Sequence, residues 1–136
     1  DDAIGYIWDF DNQTLYFPFV ATVAFSTSSS SYSGSIVEGY VNEYSNYLKT
    51  LGAKVSNARL ITKNELEMLG CVNNSCASAQ SWVYATSYWT GSAVDSENIW
   101  VVDAWRLISE WHYDNPGGRE IGWGVRPVIE IPLSEF

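Results

Sequence analysis

Basic side chains are scarce. Seven lysines and arginines stand against sixteen aspartates and glutamates, and the net charge is −9 at neutral pH. Nucleic-acid binders need clustered Lys and Arg to displace counterions, so seven scattered cations argue against phosphate recognition. They argue equally against docking on anionic lipid. Histidine occurs once, at His112. Together with both cysteines it falls short of the four ligands of a structural zinc site. No run approaches the roughly 18 apolar residues that span a bilayer. No Gly-x-Ser-x-Gly context surrounds a nucleophile, and no motif implies a cofactor. The sequence opens at Asp1 and Asp2 without an export signal. The expectation is an extracytoplasmic domain, secreted or held at a cell surface, whose signal or anchor has been removed.

What is present is aromatic. A chain of 136 residues fits one domain, and 46% hydrophobic content suffices for a core. Aromatics make up 15%, with seven tryptophans. Trp is rarely all core and recurs at the centres of contact surfaces, so some of the seven are expected to serve a surface.

Two cysteines, Cys71 and Cys76, close the short polar stretch Cys-Val-Asn-Asn-Ser-Cys. A disulfide there is geometrically feasible, would pin the turn, and would persist only in an oxidising compartment. Two reduced thiols are the alternative.

Along the chain, residues 1–34 read as strands and a connector. Ile4, Tyr6, Trp8 and Phe10 alternate with period two, an apolar run over 15–25 is interrupted by Pro18, and the serine-rich stretch 26–34 is expected to be mobile. Residues 35–70 read as two helices. Ser35 and Glu38 form the capping-box pair of the first, whose stripe is Ile36, Tyr40, Tyr44 and Leu48 with Val37, Val41 and Leu51, ending at Gly52. Thr62 and Glu65 repeat the signal for the second, with Leu66 and Leu69 facing inward and Gly70 as the stop. Residues 81–131 read as short strands and loops, with turns at 90–92 and 115–118. Helices followed by a strand-rich half predict a single α+β domain over 1–136.

Three pieces of text carry a resemblance. Residues 58–67, Ala-Arg-Leu-Ile-Thr-Lys-Asn-Glu-Leu-Glu, resemble the Arg-Leu-Pro-Thr-x-x-Glu-x-Glu segment of formylglycine-generating-enzyme-like proteins. Residues 81–92 resemble their Trp-x-x-Ser/Thr strand and Trp-Gly/Ser turn. Residues 124–129, Gly-Val-Arg-Pro-Val-Ile, resemble their closing strand, which also ends bacterial secreted and pilin-like surface proteins. The resemblance implies a C-type-lectin-like fold, with two helices packed on a twisted antiparallel, loop-rich β region. The resembling enzymes carry catalytic cysteines shortly before the closing strand. Residues 94–124 contain none, so the oxidase activity does not carry over. The layout is also similar to proteins diversified by retroelements, which place variable residues ahead of a constant C-terminal end.

The expected function is ligand binding, not catalysis. The carboxylate pairs Asp9 with Asp11 and Asp95 with Glu97 are neighbours in loops and read as solvated faces. If 99–113 is one extended strand, Asp103, Trp105, Leu107, Ser109, Trp111 and Tyr113 share one face. Trp100, Val102 and Ala104 share the other, assigned to the core. Trp105 and Trp111 have core as their alternative. The candidate ligand-binding residues are Asp103, Trp105, Arg106, Ser109, Trp111, His112, Tyr113, Asp114, Arg119 and Glu120. Arg59 and Arg126 are expected to be structural ties, the latter part-buried between apolar neighbours. The expected partner is a protein or glycan on another cell or surface, as for an adhesin. The alternative is a pilin-like or envelope subunit that uses these aromatics to assemble into a filament.

Overall fold

The computed structural model describes residues 22–117 and 122–135. Of the strands expected over 1–25, residues 1–21, including Asp9 and Asp11, lie outside the described residues, and 22–25 form no strand.

The fold is α+β. Helix α1 spans Ile36–Thr50 and α2 spans Lys63–Met68. Strand β1 (Asn57–Leu60) pairs antiparallel with β5 (Pro127–Glu130), the last strand. Strands β2 (Tyr88–Ala93), β3 (Asn98–Val102) and β4 (Ile108–His112) form an antiparallel three-stranded sheet in that order. A 3-10 turn, Ser81–Val83, precedes β2.

The capping signals act as their chemistry dictates, with one shift. At α2 the Thr62 hydroxyl accepts from the Glu65 N–H while the Glu65 carboxylate accepts from the Thr62 N–H. At α1 the Ser35 hydroxyl accepts from Glu38 N–H, but the Glu38 carboxylate reaches back to Gly34 N–H. The Ser35 N–H is already used by the Tyr32 carbonyl. The buried face of α1 takes Val37 and Val41 from the predicted stripe and adds Ser45. Tyr40, Tyr44 and Leu48 flank it half-buried, and Leu51 is exposed. In α2 only Leu66 turns inward; Leu69 is exposed.

Period-two alternation places the three-stranded sheet between two apolar clusters. Trp89, Ile99 and Val101 enter one, with Phe25, Val37, Val41, Leu60, Trp123 and Val125. Tyr88, Val102 and Ile108 enter the other, with Ile61, Leu66, Val83, Val128 and both cysteines. Both faces of this sheet therefore bury side chains. The two sheets meet at Gly91, whose N–H donates to the Ile61 carbonyl at 2.8 Å. A Cβ on Gly91 would sit 3.4 Å from Leu60 atoms. The turn expected at 90–92 is instead a register shift within β2, and Gly91 marks close backbone approach.

The serine-rich connector is tied to the turn between β2 and β3 through Ser30. Ser30 donates its N–H to the Ser96 carbonyl and its hydroxyl to the Asp95 carbonyl. Phe25 N–H donates to the Tyr113 carbonyl, and the Phe25 ring is buried.

Two arginines tie the elements. Arg59 forks onto both carboxylate oxygens of Glu65 at 2.8 Å and reaches Glu130 through Nε, joining β1, α2 and β5. Bidentate guanidinium–carboxylate pairing is the strongest geometry open to these groups. The Arg59 hydrogen bond holds the Glu65 carboxyl below its ordinary pKa, and the Glu130 carboxyl is lowered by the same cause. Arg126 is buried. Its guanidinium donates to the Trp82 carbonyl at 2.6 Å and the Val83 carbonyl at 3.3 Å, and lies 4.4 Å over the Tyr88 ring.

Candidate functional site

The chain between β3 and β4 is Asp103-Ala104-Trp105-Arg106-Leu107. Arg106 N–H donates to the Asp103 carbonyl at 3.1 Å, and Asp103 N–H donates to the Leu107 carbonyl at 2.9 Å. The turn therefore closes over three residues, and the third, Arg106, takes φ 68°. Glycine is the usual occupant of that left-handed position in three-residue hairpins. An arginine there costs roughly 1 kcal/mol, so other contacts must hold it.

Asp103 supplies them. One carboxylate oxygen accepts from the N–H groups of Trp105 (2.9 Å) and Leu107 (3.0 Å), and the other accepts from the Ser109 hydroxyl (2.7 Å). Asp103 is consequently only 7% exposed. Its role is internal: the predicted display residues Asp103 and Ser109 are used up in fixing the turn. What the turn presents outward is Trp105, 65% exposed, and Leu107, 43% exposed. Arg106 is exposed as well, its guanidinium 4.4 Å over the ring of Tyr84.

The cysteines reinforce this tip from the side. Cys71 and Cys76 are disulfide-bonded. Between them Val72 and Ser75 exchange backbone hydrogen bonds at 2.9 and 3.0 Å around Asn73 (φ 53°) and Asn74 (φ 61°). Two successive positive φ values define the tight turn that suits a two-residue hairpin, and Asn tolerates them better than most residues. This small hairpin lies along the lead into β4. Ser75 pairs with Leu107, Cys76 N–H donates to the Arg106 carbonyl at 2.7 Å, and Ile108 N–H donates to the Asn74 carbonyl at 2.8 Å. The disulfide loop thus adds a third strand-like layer beside the tip and covers the start of the β4 edge.

The opposite end of β4 is a separate place. His112 Nδ1 lies 2.6 Å from an Asp114 carboxylate oxygen, and the ring stacks on Tyr113 with centroids 4.3 Å apart. Among the described residues, His112 hydrogen-bonds with Asp114 and with no hydroxyl or thiol. Asp95 caps the next turn by accepting from the Glu97 and Asn98 N–H groups, which lower its pKa. Tyr113 is a junction: its N–H donates to the Glu97 carbonyl, its own carbonyl accepts from Phe25 and Ser26, and it packs against the first cluster. Trp111 also packs against that cluster, edge-on to Trp123 with centroids 5.0 Å apart. The indole N–H groups of both, and the Tyr32 hydroxyl, are buried without a hydrogen-bond acceptor among the described residues.

Two corrections follow. Residues 99–113 are a hairpin, not one strand, so the proposed single face does not exist. Trp111 and Tyr113 lie against the core, and Trp105 projects from the turn. The stretch centred on 103–120 also divides. At about 3.3 Å per residue, the five residues of β4 hold the Arg106 and His112 ends roughly 13 Å or more apart. One small ligand cannot contact both. Arg119 and Glu120 lie outside the described residues.

Sequence reasoning missed Tyr84 and Val72, and it left Leu107 off the candidate ligand-binding residues although it placed Leu107 on the display face. Nothing in the text linked residues 72 and 84 to the turn. Chemically, the tip offers an indole face, a guanidinium and flanking aliphatic surface. No carboxylate of the described residues pairs with Arg106. Among the described residues no group of three or more His, Cys, Asp or Glu is arranged to hold a metal ion, and no helix is long and apolar enough to cross a membrane. The disulfide is compatible with an extracellular location. Comparison with protein-family models, curated proteins and solved structures finds no match to this chain.

Proposed function

We propose that the chain is a non-enzymatic, extracellular ligand-binding domain of C-type-lectin-like fold, acting in adhesion or receptor recognition, with the hairpin tip at 104–107 as its contact surface. The fold assignment is supported by the pairing of β1 with the last strand β5, by the two helices, and by the separate loop-rich sheet. The single observation that carries the function is Trp105. A large indole, 65% exposed, projects from a turn whose backbone is fixed by Asp103 and by the disulfide hairpin. Exposing Trp forgoes about 2–3 kcal/mol of burial, and a rigid support lowers the entropy lost when it is covered by a ligand.

The test screens the domain against a printed glycan array and a phage-displayed random dodecapeptide library, in parallel with Trp105→Ala. Binding to either library that disappears in the variant, while its melting temperature is kept, supports the reading. Binding that survives in the variant places the contact surface elsewhere. Self-association that rises with protein concentration and disappears in the variant would identify a structural subunit instead.

A further inference from the structure

We infer, resting on the reading just given, that the tip is a protein-recognition surface whose partner inserts a carboxylate against Arg106 within an apolar contact. The surface extends beyond the turn. Val72 and Leu107 flank Ser75 in the paired strands of the disulfide hairpin and the tip, and they are 62% and 43% exposed. With Trp105, Tyr84 and Arg106 these make a set rich in aromatic, aliphatic and guanidinium groups. That is the composition of the buried centre of a protein–protein contact, where Trp, Tyr and Arg carry most of the energy. A sugar would use the indole and the amides, but gains little from exposed valine and leucine side chains.

Charge selects the complementary group. The protein carries −9, yet the one carboxylate in the turn, Asp103, is turned inward onto two N–H groups and a hydroxyl. Arg106 is left as a cation without an ion-pair partner among the described residues. The guanidinium lies 4.4 Å over the Tyr84 ring, and no carboxylate of the described residues occupies its N–H fork.

The test selects the dodecapeptide library separately on wild type, Arg106→Glu and Arg106→Gly, each checked for an unchanged melting curve. Wild type is expected to enrich peptides with Asp or Glu beside aliphatic or aromatic residues. A synthetic peptide of that kind should lose about tenfold or more in affinity on Arg106→Glu and on Trp105→Ala. Arg106→Glu should enrich Lys or Arg at the same place. Peptides without acidic preference, or the same peptides on wild type and Arg106→Glu, overturn the inference. Neutral glycans bound through Trp105, with no peptide enriched, overturn it and leave the recognition surface standing. Binding of either class that ignores the tip variants overturns both.

Discussion

Asp103 and Ser109 face one another across the base of the β3–β4 turn, the carboxylate accepting the serine hydroxyl at 2.7 Å while its other oxygen holds two backbone N–H groups. Asp103→Ala leaves those donors without a partner and should destabilise the protein by about 2–3 kcal/mol. Asp103→Asn should cost about 1 kcal/mol or less. Its amide oxygen still accepts from Trp105 and Leu107, and the serine hydroxyl can rotate to accept from the new NH₂. Denaturant unfolding of the two variants separates these outcomes.

Arg106 separates strain from recognition. Arg106→Ala keeps the left-handed backbone penalty and loses the stack on Tyr84. Arg106→Gly loses the same stack and relieves the penalty. The glycine variant should therefore be more stable than the alanine variant by about 1 kcal/mol, and near wild type. Thermal melts of the three proteins check the order.

Replacing Cys71 and Cys76 together by alanine should lower stability by about 2 kcal/mol, the loop-closure value for so short a ring. The effect should be felt at the tip. The amides of Cys76 and Ile108, which bond Arg106 and Asn74 across the two hairpins, should exchange with solvent much faster in the variant. Hydrogen exchange read residue by residue would show it, and unchanged protection there would separate the disulfide from the tip.

Arg59 gives the protein an acid limb. The folded-state pKa values of Glu65 and Glu130 are depressed by its hydrogen bonds. Their contribution is therefore full above the ordinary carboxylate pKa and is lost as pH falls through the lower folded values. Stability should drop progressively below about pH 4.5 in wild type. In Arg59→Met that part of the pH dependence should flatten while stability near neutrality falls. Both carboxylates are substantially exposed, so the limb is shallow.

The helices were legible because capping is local chemistry: Ser35, Thr62 and Glu65 act within four residues of chain. The α+β class and the disulfide followed from similarly short patterns. The face of α1 was legible at Val37 and Val41 but not at Ser45, which is buried by what packs on it and which no period in the text records. The binding surface was half legible. Exposed Trp105 and Arg106 were named from composition, but a period-two reading carried straight through the turn that Asp103 makes. It therefore placed Trp111 and Tyr113 beside Trp105, when both are half-buried and packed against the first cluster. Tyr84 and Val72 reach the tip through contacts far apart in sequence, and only folding brings them there.

The location of the contact surface is tested most directly by amide chemical-shift mapping with a peptide selected on the wild-type domain. The largest shifts are expected at Val72 to Ser75, Tyr84 and Trp105 to Leu107, with the His112 end unmoved. Shifts centred on Asn98, His112, Tyr113 and Asp114, with the tip silent, would contradict it.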